Sequence, residues 1–185
     1  MNKDLDTMVL RLITYGLYVV SSKLGEKVNG QIVNTVFQVT SEPPCIAVCI
    51  NKQNLTHEYI SKSRVFSVSI LDEETPMTFI GLFGFKSGRD VDKLCDVAYQ
   101  KGIDNCPIVT EHSLGILEVR VLNQLDVGTH TLFVGKIERG RILREGTPLT
   151  YAHYHQVKGG KAPKTAPTYI ASTPKTAPTY IPPSD

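Results

Sequence analysis

Residues 29–56 read NGQIVNTVFQVTSEPPCIAVCINKQNLT, and two strand-like runs within them, QIVNTVFQV and CIAVCI, lie on either side of Pro43 and Pro44. Both runs are rich in the β-branched and apolar residues that are typical of strands, and the prolines favour a turn between them. The segment therefore predicts two consecutive strands of a meander, and the rest of the fold can be followed outward from it.

The first of these strands carries polar side chains among its apolar ones, namely Gln31, Asn34, Thr35, Gln38 and Thr40. Each of them would need a hydrogen-bond partner if it were buried, because an unpaired amide or hydroxyl in apolar surroundings is costly. Two interpretations are open at this point. These groups face a polar ligand, or they face solvent from one side of a barrel.

The second strand ends at a predicted strand-to-helix junction, residues 51–56, after which Leu55, Tyr59 and Ile60 have helical spacing. The start of a helix presents backbone N–H groups and the positive end of its dipole, and both attract anions. Lys52, Asn54 and Thr56 would add a charge and further donors. The junction suits a phosphate group, although Asn54 or Thr56 could equally be a simple helix cap.

Three weaker features could also contribute to a site. The polar loop at residues 86–90, KSGRD, could supply Arg89, but it is equally typical of a surface turn. His130 begins a predicted strand and is a candidate for hydrogen bonding to a cofactor or for adjusting a proton, with a structural role as the alternative. His153 and His155 lack a third ligand at a recognisable spacing, so we predict no metal site.

The regions around this segment predict more strands and two short helices. GLYVVSSK forms a strand from Gly16, and a polar turn over residues 25–30 follows it. VFSVSIL reads as a buried strand, and Thr75-Pro76 starts a second short helix, with Thr75 as its cap, that ends near residues 81–84.

The second half of the chain shows clear two-residue alternation. Leu117, Val119, Val121 and Leu125 are predicted to face the core, and the residues between them, Glu118, Arg120 and Gln124, to face solvent. THTLFVGKIERGRIL gives a partner strand across a turn at residues 126–129. A long antiparallel pair of this kind indicates a barrel or sandwich. The chain has no regular βαβ alternation and no GxGxxG motif, which argues against a Rossmann domain.

Composition limits the class of protein. The chain has 185 residues, 41% hydrophobic and 21% charged, with a net charge of +2 and signs that are interspersed. These values predict one folded domain and give no indication of nucleic-acid or membrane binding. The acidic start MNKDLDTMVL is unlike a signal peptide, so we expect a cytoplasmic protein. Cys45 and Cys49 lie too far apart along one strand for a disulfide and are predicted to be buried apolar side chains.

The end of the chain has a different composition. We predict a domain over residues 1–158 and a Pro-rich tail over residues 159–185, in which PKTAPTYI occurs twice, at 163–170 and 174–181. The prolines exclude a helix or a central strand, so the tail should be extended, either as a linker or as a strap.

Several of these blocks, taken in order, resemble the flavin reductase-like group of FMN-binding split barrels. This group contains archaeal ferric reductase, flavoredoxin and the flavin domain of high-molecular-weight rubredoxin. The resemblance covers residues 8–170 through ITYGLYVVSS, NGQIVNTVFQVTSEPP, IAVCINKQNLTH, VFSVSIL, ETPMTFIGLFGF, DVGTHTLFVGKI, LTYAHYH and GGKAPKTAPTYI. It implies a mainly β fold with short helices, a split β-barrel that forms a homodimer with FMN at its interface.

The resemblance also implies a set of cofactor-binding residues. The isoalloxazine ring would lie against the first strand, and the ribityl chain and phosphate would lie at the strand-to-helix junction and the polar loop. His130 would lie near the flavin or the nicotinamide, and Tyr169 near the flavin groove. The full set is Gln31, Ile32, Val33, Asn34, Thr35, Val36, Phe37, Gln38, Asn51, Lys52, Asn54, Thr56, Phe85, Lys86, Ser87, Arg89, His130 and Tyr169.

The implied activity is transfer of electrons from NADH or NADPH through FMN to an acceptor, which could be a ferric complex, free flavin or a rubredoxin-type protein. No acid–base residue is expected to be essential, because the flavin carries the chemistry and the protein holds and tunes it. A non-enzymatic FMN electron carrier is the alternative. The paired CxxC motifs of a rubredoxin domain are absent from this sequence, so the acceptor is expected to be a separate molecule.

Overall fold

The strand-like runs form one antiparallel sheet of seven strands and a separate pair of short strands. A computed structural model of the protein describes residues 7–164 and Ala166. In chain order the strands are β1 (Tyr18–Leu24), β2 (Lys27–Val33), β3 (Val36–Ser41), β4 (Pro44–Asn51), β5 (Val65–Leu71), β6 (Tyr99–Lys101), β7 (Pro107–Val109), β8 (Ser113–Asp126) and β9 (His130–Ile142). The large sheet has the order β2-β1-β5-β8-β9-β4-β3. The mainly β prediction is confirmed.

The predicted strand QIVNTVFQV is in fact divided between two strands, and this is the main correction to the sequence analysis. β2 ends at Val33 and β3 starts at Val36, and these two strands are the opposite edges of the large sheet. Asn34 and Thr35 carry the chain from one edge to the other, and the Thr35 carbonyl accepts a hydrogen bond from the Cys49 amide at 3.1 Å. The predicted turn over residues 25–30 is also too long, since β2 already begins at Lys27.

The main core lies inside the curve of the sheet. Strands from both edges contribute to the same cluster, which requires the sheet to curl around it, and Ile60 of helix α1 (Leu55–Ser63) also packs there. Its members are Val20, Val33, Ile46, Val48, Ile50, Ile60, Phe66, Val68, Val119, Val121 and Phe133. Aromatic and β-branched side chains dominate this set, as expected for a sheet buried on one face.

A second core joins helix α2 (Met77–Phe85) and helix α3 (Tyr151–Gln156) to the strands. Phe79, Ile80 and Phe83 of α2 pack there with Leu17 and Tyr154. α2 is capped by Pro76 and runs to Phe85, one residue beyond the predicted end region. The hydroxyl of the expected cap, Thr75, instead donates to the Asp72 carbonyl at 2.6 Å.

The pairing of β8 with β9 has two register shifts, with Glu138 of β9 as the extra residue at the first and Leu122 of β8 at the second. Glu118 is buried even though Leu117, Val119 and Val121 keep the predicted core-facing alternation, because Gly102 and Ile103 cover the other face of the strand there. Its carboxylate accepts a 2.6 Å hydrogen bond from the Ile103 amide. Leu125, predicted to face the core, is 60% exposed. The extra residue Leu122 reverses the side-chain alternation beyond it, which explains the exposure of Leu125.

The remaining features concern the cysteines and the end of the chain. The four cysteines are free, and Cys49 is only partly buried. Among the described helices, none is long and apolar enough to cross a membrane. His153 and His155 lie on helix α3, and no group of three or more potential metal ligands occurs within the described residues. Tyr169 and the second PKTAPTYI copy lie outside the described residues.

Candidate functional site

A groove of about 390 Å³ opens between the edge strand β2, the end of β4 and the three helices. This volume is within the range typical of small-molecule sites. Its lining mixes amides, lysines and apolar side chains: Leu17, Asn29, Gln31, Ile32, Val33, Asn34, Cys49, Asn51, Gln53, Asn54, Leu55, Ile80, Phe83, Gly84, Phe85, Lys86, Ser87, Lys93, Tyr151, Tyr154, Lys161, Ala162, Pro163, Lys164 and Ala166. None of these described lining residues is an aspartate or a glutamate.

One wall of the groove is built from amide side chains. Gln31 and Asn34 come from the end of β2, and Asn51 from the end of β4. Asn29 is fixed by a hydrogen bond from its Nδ2 to the Thr56 hydroxyl at 2.8 Å, and both residues are buried. Amides can both donate and accept, so this wall suits a flat heterocycle with mixed hydrogen-bonding edges.

The start of α1 forms one end of the groove. Asn54 is the cap residue, in an extended conformation, and its side chain makes no capping hydrogen bond within the described residues. Asn54 and Leu55 line the groove together with Lys86 and Ser87 from the loop after α2. A helix N-terminus beside an ammonium group and a hydroxyl is a favourable place for a phosphate.

Lys93 is a buried lysine that lines the same groove. It is 5% exposed, and its ammonium donates hydrogen bonds to the carbonyls of Gly30 at 3.1 Å and Phe83 at 3.2 Å. Burial lowers the pKa of Lys93 to about 8, because the charged form loses solvation. At neutral pH the group therefore remains mostly protonated and places a positive charge in the wall of the groove.

The structure brings many of the predicted residues to the groove and places others elsewhere. Those in the lining are Gln31, Ile32, Val33, Asn34, Asn51, Asn54, Phe85, Lys86 and Ser87. Outside this lining lie Thr35, Val36, Phe37, Gln38, Lys52, Thr56, Arg89 and His130. Phe37 and Gln38 are exposed on β3, at the far edge of the sheet from β2, because the predicted single strand is divided.

Several polar residues outside the lining are engaged in structural contacts. Both carboxylate oxygens of Asp126 accept from the Lys52 ammonium at 2.6 Å, which lowers the pKa of Asp126 and links the start of α1 to the β8–β9 turn. Arg89 is paired with Glu58 of α1 at 3.4 Å. His130 Nδ1 shares a 2.8 Å hydrogen bond with the Thr129 hydroxyl.

Sequence reasoning missed several groove residues, including Asn29, Cys49, Phe83, Lys93, Tyr151 and Lys161. Lys93 had no local signal, since VDKLC resembles an ordinary surface loop. Asn29 is the first residue of the segment 29–56, two positions before the polar residue Gln31. Its side chain could have been included by extending the polar pattern of that strand by two residues.

Comparison with known proteins identifies the family. The model of flavin reductase like domains matches residues 10–160, which is most of the chain. The chain belongs to this flavin reductase-like family. The predicted fold, recognised from sequence blocks, and the predicted class of activity, an oxidoreductase, are thereby confirmed.

Individual relatives agree with this assignment. The chain is 49% identical over 165 residues to the high molecular weight rubredoxin of Moorella thermoacetica, which covers 89% of this chain and 72% of that protein. It is 46% identical over 168 residues to a ferric-chelate reductase (NAD(P)H) of Archaeoglobus fulgidus, covering 91% and 99% of the two chains. An FMN-binding protein from Thermus thermophilus, solved with bound 1-cyclohex-2-enone, superposes with a TM-score of 0.65 at 27% identity, covering 70% of this chain and 71% of that one.

Proposed function

We propose that the groove binds FMN and that the protein is a reductase, passing electrons from NADH or NADPH through FMN to an acceptor. The observation that carries this is the composition of the groove in a flavin reductase-like chain. Amides and apolar side chains line one part, and a helix N-terminus with lysines lines another, with no carboxylate among the described lining residues. A flavin mononucleotide needs both parts, because it combines a flat heterocycle with a phosphate.

The lining residues divide between the two parts of the cofactor. Gln31, Asn34 and Asn51 would hydrogen-bond the ring or the ribityl chain, with Cys49 as an apolar contact. Asn54, Lys86, Ser87 and Lys93 would hold the phosphate through charge and donors. Thr56, Lys52 and Arg89 support the site indirectly, since their side chains fix Asn29, the β8–β9 turn and α1.

When bound, FMN supplies a two-electron acceptor for the hydride of the nicotinamide. The chain's own contribution is to hold the ring, to exclude water from the face that lies on the apolar residues, and to leave the groove mouth open for the donor. Amides that donate hydrogen bonds to the ring would also stabilise the negative charge of the reduced flavin, and so would raise the reduction potential of the flavin. No side chain has to transfer a proton for this scheme to work.

We also infer that the protein is a homodimer and that its partner completes the groove. Leu125 of β8 lies opposite Leu132 of β9, which in turn lies opposite Cys49 of β4, so these side chains share one outer face of the sheet. Leu125 and the nearby Val127 are 60% and 49% exposed, and Cys49 lines the groove. An exposed apolar face that is continuous with the groove would be covered by a second copy.

The function is tested with the visible spectrum of the purified protein after loading with FMN. Anaerobic addition of NADH or NADPH should bleach the flavin band within the enzyme's turnover time. A pure electron carrier, the alternative function, would remain oxidised with both donors. A protein that takes up no FMN at all would contradict the proposal and leave only a binding module of the same fold.

The dimer is tested separately by light scattering combined with flavin content. Dilution should lower the dimer fraction and the bound FMN together, and Leu125→Glu should do so at higher protein concentrations. The matched variant Ile142→Glu replaces a highly exposed apolar residue at the end of β9. It should leave the dimer fraction and the FMN content unchanged. A monomer at micromolar concentration that retains FMN would rule out a shared site.

The electron acceptor is proposed from the relatives. One is a ferric-chelate reductase and another is a high molecular weight rubredoxin, so a ferric complex, free flavin and a separate rubredoxin-type redox protein are the three acceptors to assay. Rates with each, measured at the same NADH concentration, would rank them.

A further inference from the structure

The groove carries more positive charge than one FMN phosphate requires. Four lysines line it, at positions 86, 93, 161 and 164, and no aspartate or glutamate does so among the described residues. Lys86 and Lys93 lie after α2, whereas Lys161 and Lys164 lie on the extended segment after α3. A phosphate monoester carries a charge of about −2 at neutral pH, so the first pair can balance it.

The segment that carries the second pair is fixed to helix α3. The Tyr154 hydroxyl donates to the Lys161 carbonyl at 2.9 Å, and the Gly160 amide donates to the Tyr154 carbonyl at 2.9 Å. His155 Nδ1 lies 2.7 Å from the Gly160 carbonyl oxygen, within hydrogen-bond distance. A β-carbon at Gly160 would collide with the Tyr154 ring, so the segment follows the helix closely. Lys161 is therefore held at the groove, and Lys164 lies three residues further along in the same lining.

These two lysines differ from the lysines that pair with carboxylates at the surface. Lys52 is paired with Asp126 and Lys62 with Glu58, whereas neither Lys161 nor Lys164 forms an ion pair with any described residue. Both are exposed at the rim. Their charges are thus available to an anion that enters the groove from solvent.

We propose that Lys161 and Lys164 bind the phosphate groups of the dinucleotide donor. The inference rests on the proposed function, in which the molecule that must enter this groove after FMN is a pyridine dinucleotide. NADH and NADPH share a pyrophosphate, and NADPH adds a phosphate on the adenosine ribose. A pair of lysines separated by Ala162 and Pro163 offers two point charges on a short, stiff segment, which suits a multiply charged group.

The test is steady-state kinetics of Lys161→Gln/Lys164→Gln with three hydride donors, NADH, NADPH and the phosphate-free 1-benzyl-1,4-dihydronicotinamide. We expect the KM for at least one dinucleotide to rise about tenfold, as for the loss of charge-assisted contacts, with kcat nearly unchanged. Rates with the phosphate-free donor should stay at the wild-type level. The KM of the wild type should also rise with ionic strength more steeply than that of the variant.

The donor comparison shows which phosphate is bound. Equal KM increases for NADH and NADPH assign the lysines to the shared pyrophosphate, and an increase for NADPH alone assigns them to its extra phosphate. Lys27→Gln/Lys101→Gln is the matched control, since both lysines are exposed and lie outside the groove lining. It loses the same net charge and should leave every KM unchanged.

Other results would overturn the proposal. Unchanged KM values for both dinucleotides would show that the lysines do not contact the donor. A loss of FMN affinity, or an equal loss of rate with the phosphate-free donor, would assign them to the cofactor or to the shape of the groove. A wild-type protein that no donor reduces would instead refute the proposed function, and this inference with it.

Discussion

Two segments bring a lysine to the neighbourhood of the proposed phosphate end, and they use it in opposite ways. At the strand-to-helix junction, residues 51–56, Lys52 points outward and pairs with Asp126. In the loop after α2, residues 86–93, Lys93 is buried in the groove wall and is held by two backbone carbonyls. From the sequence, the junction was the stronger prediction.

The difference teaches that the contribution of a charged side chain to ligand binding depends on its burial and on its partners, and not only on its distance from the site. A lysine that is paired with a carboxylate at the surface contributes little to binding or stability, because water and salt screen it. A buried lysine held only by neutral carbonyls keeps its positive charge for a ligand, and burial strengthens that interaction. Backbone N–H groups and Asn54, more than Lys52, are what the junction offers to a phosphate.

The largest expected effect is that of Lys93→Met. Loss of this buried charge should weaken FMN binding by roughly 1.5 to 3 kcal/mol, the range for hydrogen bonds to charged groups. Equilibrium titration of the apoprotein with FMN, followed by flavin fluorescence, measures it. Melting of the apoprotein serves as the control for folding, because the Gly30 and Phe83 carbonyls lose their donor in this variant. If the folded variant binds FMN as tightly as the wild type, Lys93 does not contribute to FMN binding and the proposed difference between the two lysines is wrong.

The pH dependence of FMN binding should sharpen the comparison. The ammonium form of Lys93 is the form that attracts phosphate, so FMN affinity should fall as the pH rises above about 8, by up to roughly tenfold per pH unit. The apoprotein should respond in the opposite direction. The pKa of Lys93 is lower in the folded than in the unfolded chain, so folding stability rises between about 8 and the ordinary value of 10.5.

Fluorescence titrations from pH 7 to 9.5 check this, above the range in which the phosphate itself titrates. Lys93→Met should show a flat profile over the same range. If FMN affinity in that variant falls with pH as steeply as in the wild type, another titrating group causes the pH effect.

A smaller effect is expected at Thr56, which the sequence suggested as a direct ligand. Thr56→Val removes the hydroxyl that accepts from Asn29 in a buried setting, so the free energy of unfolding should fall by about 1–3 kcal/mol. Denaturant unfolding of the apoprotein measures the loss. Thr40→Val, which removes an exposed hydroxyl bonded to the Pro43 carbonyl, is the control and should cost less. If Thr56→Val changed FMN affinity but not stability, a direct contact would be indicated.

Lys52→Met is expected to have the smallest effect. Its ion pair with Asp126 is exposed, and such pairs contribute about 0–1 kcal/mol. FMN affinity should therefore change by less than about threefold in the same titration. A loss as large as that of Lys93→Met would mean that Lys52 leaves Asp126 to bind the cofactor, and the contrast between the two segments would disappear.

Much of this architecture was predictable because it depends on local patterns. The strands around VVSS, IAVCI and VFSVSIL and the helix after Asn54 follow from residue type and spacing, and the ordered blocks identified the family. The polar residues Gln31 and Asn34 were correctly singled out as unusual for a packing strand, and they line the groove. The assignment of individual ligands to FMN stays a prediction.

The parts that were not predictable depend on long-range geometry. Nothing local to QIVNTVFQV shows that the chain crosses the sheet at Asn34–Thr35, because both halves have equally good strand composition. The extra residue Leu122 in β8 reverses the side-chain alternation without a glycine or proline beside it to mark the change. Lys93 is buried by contacts with Gly30 and Phe83, which are distant in sequence, so no local pattern could distinguish it from a surface lysine.

The groove gathers residues from Leu17 to Ala166, nearly the whole span of the described chain, around one cavity. A ligand held in this way binds only when the strand edge, the three helices and the final segment are all in place, so by mass action it stabilises the native state. At a free concentration one hundred times its Kd, the gain is about 2.7 kcal/mol. The melting temperature of a preparation should therefore report its flavin occupancy. Two samples of identical sequence that differ only in cofactor content will unfold at different temperatures.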